Sequence, residues 1–342
     1  QKFNEKKYAD TFMAADWNLF LPAEKYQSST ADNVPWEYTH AGETEPVFPH
    51  RTSLAANMES IKATPFGNTF TTLFAKEVIR NENLGADTIT DILCVSYSSP
   101  DYIGHAYGPH SMEIEDTYIR LDRDIADLLQ FLDAEIGKGA YLVFLSSDHG
   151  VAPAAGYMQA LDIPSGLINE QSFTMEMDSV LKSIFGPGDY IESYSNQQVY
   201  LNHSVLQQKK ITVAQVHAAL FAAFIQKKGV ANIINLQQLH AALIPDVYNY
   251  LVLNGISAKR SGDLQILYEP NWMEYGLTGS THGAHYSYDT HVPLLWYGWE
   301  VPNGKTWRKT EVTDIAPTIA ALLRIKAPNG SIGEIVEEIL HP

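Results

Sequence analysis

What most constrains this chain is the alternation of short, continuously apolar runs with longer amphipathic ones. "TDILCVSYS" (90–98), "AYLVFLSS" (140–147) and "THVPLLWYG" (290–298) lack the in–out alternation of a strand with one wet face. Each reads as a strand buried on both sides. Between the first two lies "SMEIEDTYIRLDRDIADLLQFLDAEIG" (111–137). Its apolar positions 114, 118, 121, 125, 128, 132 and 136 step by three or four, the spacing of one helix face. Ser111 is its predicted N-cap, and Glu113, Glu115 and Asp116 fall in the first turn, where the helix dipole favours negative charge. "FTTLFAKEVIRNENLG" (70–85) predicts a helix stopped by Gly85, and "TDIAPTIAALLRI" (313–325) a closing helix capped by Thr313 or Asp314. Strands that need cover on both faces, separated by helices, predict an α/β fold: a doubly wound, mainly parallel sheet sandwiched by helices.

The regularity weakens from about 155 to 265. There, 192–202 and 262–270 read as strands and 212–229 as a helix. The expected organisation is therefore a core made of 1–154 and 270–342, with 155–269 as an inserted α+β subdomain. Residues 1–65 are rich in Trp, Tyr, Phe and Pro without a sustained period. Disordered tails are poor in aromatics, so this stretch is expected to be ordered, irregular and laid on a larger body.

Bulk properties exclude several function classes. The 342 residues carry 23 basic and 40 acidic side chains, a net charge of −17, which repels phosphate backbones and excludes a nucleic-acid polymer as partner. A small anionic substrate then needs local positive charge, and a bound metal ion is one source. The single cysteine, Cys94, rules out an intrachain disulfide and a cysteine-rich zinc ribbon. No run approaches the ~18 apolar residues of a spanning helix, so no membrane partner is expected. The opening "QKFNEKKYAD" has no signal-peptide pattern.

In open α/β sheets, ligands bind beyond the carboxyl ends of the strands, and polar clusters occur there. "SSPDYIGHAYGPHS" (98–111) follows the first strand. Asp101 and His105 are four apart, so one helical turn puts them on the same side, as two ligands to one metal or as a capping aspartate and a loop histidine. "SSDHG" (146–150) follows the second strand and sets Asp148 beside His149, either a polar strand cap or two more ligands. "LTGSTHGAHYSYDTH" (277–291) leads into the third and holds His282, His285 and His291, with Gly279 and Gly283 permitting close backbone approach. Its Gly279-Ser280-Thr281-His282-Gly283 looks like a nucleophile elbow, but the central residue is Thr and the segment precedes a strand instead of following one. His217, His240 and His341 read as structural or surface residues. Together, two Asp–His pairs and His282 form a donor set of carboxylate and imidazole, which suits zinc, with manganese second, over calcium or magnesium. Two ions need about six protein ligands, and these residues supply five.

These residues resemble the metal ligands of the alkaline phosphatase superfamily, most closely its threonine-nucleophile (PafA-type) branch and the type I phosphodiesterase/nucleotide pyrophosphatases. The matching stretches are "SYSSPDYIGHAYGPHS", "FLSSDHG", "GSTHGAHYSYDTHVPLLWYG" and "EVTDIAPTIAALLRIKAPNGS". The resemblance implies an alkaline-phosphatase-like fold and two zinc ions. Asp101, His105 and His282 would hold the ion on the leaving-group side, and Asp148 and His149 the ion on the nucleophile side. His285 and His291 have no ligand role in that pattern. It further implies hydrolysis of small phosphate esters, phosphomonoesters first, through a phospho-Thr/Ser intermediate, in a periplasmic or secreted protein. In the family a further zinc-binding Asp, the nucleophile and the phosphate-contacting residues lie in a section preceding the part matched here. The chain is thus expected to be the C-terminal portion of a longer protein, with that section as its partner, and to be inactive alone. The alternatives are a phosphodiesterase or sulfatase of the same superfamily, or a non-catalytic metal-binding protein of this fold.

Overall fold

A computed structural model describes residues 2–40, 42–54, 58–239 and 244–340; His240 and His341 lie outside them. The strongest local signals fold as expected. Helix α1 (Phe66–Asn81) starts at Phe66, four residues before the predicted start, and the chain turns away through Asn83 and Gly85, both at positive φ. Helix α2 (Ser99–Tyr107) has Pro100 in its first turn and is stopped by Gly108. Helix α3 (Met112–Leu132) is capped as expected: the Ser111 hydroxyl accepts the Ile114 N–H at 3.2 Å. It runs on through one π turn, Asp133–Gly137.

The aromatic-rich opening is irregular and ordered, and α3 explains why. Asp116, fully buried, accepts from Trp17 Nε1 (2.7 Å), the Phe20 amide (2.7 Å), Tyr26 Oη (2.5 Å) and Arg120 Nε (2.6 Å). Trp17, itself fully buried, packs with Ile103, Tyr107 and Ile114. One carboxylate on the helix thus ties down a segment that has no ladder of its own. The cluster also sets the inner face of α2, and hence the direction of its outer face.

Eight strands occur among the described residues: β1 (Leu142–Ser146), β2 (Gly166–Leu167), β3 (Ile191–Ser195), β4 (Gln198–Leu201), β5 (Val230–Asn235), β6 (Leu264–Tyr268), β7 (Trp272–Met273) and β8 (Leu294–Gly298). β1 and β8 pair antiparallel with Ser146 opposite Leu294, so the exit of β1 and the entry to β8 share one edge. β2 and β7 make the parallel pair. β3-β4-β6-β5 form an antiparallel four-stranded sheet.

Among the described residues one of the five strand pairs is parallel, and two local expectations differ from the structure. The 192–202 strand is a hairpin: Asn196 and Gln197 both take positive φ, the geometry of a two-residue turn that reverses the chain between twisted strands. The 90–98 run has no regular secondary structure and joins no ladder among the described residues, and Ile92 is 69% exposed. Its apolar sequence signals a buried environment, which the described neighbours do not supply.

Helices α4 (Glu170–Phe185), α5 (His203–Lys209) and α6 (Val213–Phe224) pack with the four-stranded sheet. Thr212 and Gln215 form a reciprocal capping box that starts α6. Phe173, Met177, Leu181, Val199, Leu220 and Leu264 are almost wholly buried in this unit. Each such side chain contributes about 1.5–3 kcal/mol relative to exposure. The unit between 168 and 268 therefore has a hydrophobic core of its own, separate from the Trp17 cluster. The last long helix, α7 (Ile315–Leu322), begins at Asp314, whose carboxylate accepts the Glu311 and Glu334 amides at 2.9 and 2.8 Å.

Candidate metal centre

Three loops meet at the shared edge of β1 and β8. On α2, Asp101 and His105 are one turn apart, and Asp101 Oδ1 lies 3.3 Å from His105 Nε2. His282, from the loop before β8, brings its Nε2 to 3.4 Å from the same oxygen. His149, just past β1, brings its Nε2 to 3.9 Å. Its ring stacks on that of His282 with centroids 3.4 Å apart. Asp101, His105 and His282 each offer one ligand atom within 4.8 Å of the others, the one such group of three among the described residues. Asp148 Oδ2 sits 3.6 Å from His149 Nε2, but its side chain is 87% exposed and stands at the rim. The five sequence-predicted residues are thus neighbours: three converge, His149 completes the face, and Asp148 points to solvent beside it. His285 instead packs on Tyr248, and His291 is an exposed residue closing a short turn.

Hydrogen bonds settle which ring nitrogens face the centre. His105 Nδ1 is 2.8 Å from the Ser280 carbonyl, and His149 Nδ1 is 2.8 Å from the Gly150 carbonyl. A carbonyl only accepts, so both Nδ1 atoms carry a proton and both Nε2 atoms are turned toward the centre. This is the outer-shell arrangement that metal-binding histidines use to fix ring orientation. Burial, and after it the neighbouring His149, push the His282 imidazole below its ordinary pKa. It is therefore neutral at neutral pH, as a ligand must be.

The backbone holds the loops in register. The Ser280 amide donates to the His105 carbonyl at 3.1 Å, returning the bond that His105 Nδ1 gives to Ser280. The Gly150 and Val151 amides donate to Asp289 and Tyr288 carbonyls at 2.7 and 3.0 Å, and the Ala152 amide to Thr281 at 3.2 Å. Gly279 has φ +78°, and a Cβ there would collide with the His105 carbonyl, so this contact requires glycine. Ser280 is fully buried with its hydroxyl on the Ala152 carbonyl. Asp289, nearly buried, accepts the Ala284 amide at 2.6 Å and so shapes the turn behind His282. Both roles were invisible in sequence, because neither residue has a local motif. The only hint for Asp289 was its place in the "YSYDTH" run.

Comparison with known proteins gives the family and the fold. The family model described as type I phosphodiesterase / nucleotide pyrophosphatase matches residues 7–289. The chain is 40% identical over 99% of its length to the alkaline phosphatase PafA of Elizabethkingia meningoseptica, covering 62% of that protein. It is 41% identical over 99% of its length to a Myroides odoratus protein named calcium-transporting ATPase, covering 63% of it. The alkaline phosphatase PhoV of Synechococcus elongatus is 37% identical over 99% of this chain, which covers 61% of PhoV. The crystal structure of wild-type PafA superposes with a TM-score of 0.93 at 39% identity, covering 98% of this chain and 65% of that one. The chain therefore spans somewhat under two thirds of these relatives. It belongs to the type I phosphodiesterase/nucleotide pyrophosphatase family and has an alkaline-phosphatase-like α/β fold.

Proposed function

We propose that this chain carries the metal-binding half of a phosphate-ester hydrolase, acting first on phosphomonoesters. The observation that supports it most is the convergence of Asp101, His105 and His282, with His149 beside them and two Nδ1 hydrogens already committed to carbonyls. One carboxylate oxygen and neutral imidazole nitrogens form a donor set that fits zinc. Asp101, His105 and His282 would hold one ion, and His149 with the open Asp148 would contribute to a second. When bound, such ions act as Lewis acids on phosphoryl and leaving oxygens and lower the pKa of a bound hydroxyl.

The chain's own part is orientation. Ser280 and Gly150 aim two imidazoles, and Asp101 balances the positive charge that the site gathers. We further infer that the attacking hydroxyl is not among the obvious candidates here. Ser146, Ser147 and Ser280 commit theirs to the carbonyls of Ser147, His149 and Ala152, and Thr281 lies in the irregular loop before β8, not at the start of a helix that follows a strand. The 342-residue chain is expected to bind zinc and to hydrolyse p-nitrophenyl phosphate only at background. The names of PafA and PhoV favour monoester over diester substrates. Among the described residues, no helix is long and apolar enough to cross a membrane. A periplasmic or secreted location is proposed on the resemblance alone, to be checked by cell fractionation. The test of function is metal content by mass spectrometry alongside turnover of p-nitrophenyl phosphate. Robust turnover by the isolated chain would sink the inference about the hydroxyl. Failure to take up zinc would sink the reading of the site.

A further inference from the structure

Beside the metal centre, on the His105 side, a cleft of about 520 Å³ opens to solvent, lined by Tyr38, Tyr102, His105, Ala106, Tyr275 and Thr278. Three of its walls are phenol rings, 46%, 39% and 39% exposed for Tyr38, Tyr102 and Tyr275. Exposed tyrosines are ordinary when scattered; three on one cleft beside a ligand histidine are a surface with a shape preference. The Tyr275 ring lies nearly parallel to the His105 ring, 22° between planes with centroids 5.6 Å apart. It therefore stacks, offset, against the His105 imidazole at the cleft wall. Tyr102 follows Asp101 on α2, and Lys62 Nζ sits 4.6 Å from its ring centre. This cation–π contact helps hold the Tyr102 ring in place. None of the three hydroxyls makes a hydrogen bond among the described residues, so all are available to substituents on a bound ring. The volume falls within the range of small-molecule sites, about 300–1,000 Å³.

The walls are held in place by the same bonds that build the metal centre. The Tyr38 amide donates to the Ala106 carbonyl at 3.0 Å, and the Gly279 amide to Trp36 at 2.6 Å. The neighbour of Tyr275, Glu274, is locked beneath Tyr194 and Tyr268 by hydrogen bonds from both hydroxyls. The rings therefore stand on a fixed base, and stacking there costs little ordering.

Resting on the reading of the centre as a phosphoryl site, we propose that this cleft is a leaving-group subsite for a planar aromatic ring, so that the preferred substrates are aryl phosphate esters. The cleft opens beside His105, so a group esterified to a phosphoryl held at the centre could extend into it. Tyr275 and Tyr102 offer faces for offset or edge stacking, which a short alkyl group does not exploit.

The test uses binding, so it does not depend on turnover. The zinc-loaded chain is titrated calorimetrically with inorganic phosphate, ethylphosphonate and phenylphosphonate. Phenylphosphonate is expected to bind about tenfold more tightly than ethylphosphonate, the gain of roughly two ring contacts. Tyr275→Leu combined with Tyr102→Leu removes that preference while phosphate affinity stays within about twofold, and Tyr275→Phe keeps it. Phosphate binding with no aryl preference, or a preference that survives the double leucine variant, overturns this inference alone. Failure of all three probes to bind zinc-loaded protein overturns the phosphoryl-site reading, and this inference with it.

Discussion

Replacing Glu37 by glutamine tests the electrostatics of the region under α2 more sharply than any ligand variant. Glu37 is 3% exposed, and neither of its carboxylate oxygens has a hydrogen-bond partner among the described residues. Burial first, then the nearby Glu113 and Asp32 carboxylates, push its pKa from 4.5 up to about 9. The folded protein thus holds Glu37 protonated at neutral pH, while the unfolded chain ionises it. A carboxyl whose folded pKa is raised contributes stability that is complete below its unfolded pKa and is lost as pH rises through the folded value. For Glu37 that window runs from 4.5 to about 9. Each pH unit inside it is worth about 1.4 kcal/mol, so at pH 7 the side chain costs on the order of 3 kcal/mol. Glu37→Gln has nearly the same shape and does not titrate. It should be close to neutral at pH 5, stabilising by ~2–3 kcal/mol at pH 7, and more so at pH 8.5. Urea unfolding at fixed zinc, followed by the fluorescence of adjacent Trp36, measures this directly. A stability difference that does not change between pH 5 and 8.5 would refute the reasoning, because a purely steric effect has no pH slope.

Further predictions concern the centre and its supports. Asp101→Asn or His105→Ala should weaken zinc binding by ~100-fold or more, above the 10–100-fold usual for outer-shell changes, as read by competition with a chromogenic chelator. Gly279→Ala puts a methyl group against the His105 carbonyl at positive φ and should cost about 1–3 kcal/mol in thermal unfolding. It should also loosen zinc, and a variant as stable and as tight as wild type would contradict the close approach. Asp116→Ala leaves Trp17, Tyr26 and Arg120 without their shared acceptor. It should destabilise by roughly 3–5 kcal/mol and expose residues 17–26 to proteolysis, the latter visible by mass mapping of limited digests.

The parts of this architecture that were legible in sequence are those set by near neighbours. The 111–137 helix was readable because its face repeats every three or four residues and Ser111 can reach its own third amide. Asp101 and His105 stood out because one turn separates them. The hairpin at 191–201 looks like a single strand in sequence because its turn residues, Asn196 and Gln197, include no glycine to announce positive φ. The 90–98 run was read as buried from composition, but burial depends on what lies opposite. Ser280, Asp289 and Glu37 give no sign of their roles in sequence for the same reason: those roles arise from contacts with Ala152, Ala284, and the Glu113 and Asp32 charges. No window along the chain contains those pairs.

The paired bonds between His105 and Ser280 have one more consequence. They use main-chain atoms and a single imidazole to fasten positions 175 residues apart, and the hydrophobic unit between 168 and 268 contributes to neither bond. The cost of closing such a loop grows only with the logarithm of its length. That middle unit is therefore free to lengthen, shrink or be exchanged over evolutionary time while the two fastened ends stay in place. In engineering terms the pair is a splice point: a graft between α2 and the His282 loop should be judged by whether it returns Ser280 to His105, not by its own sequence.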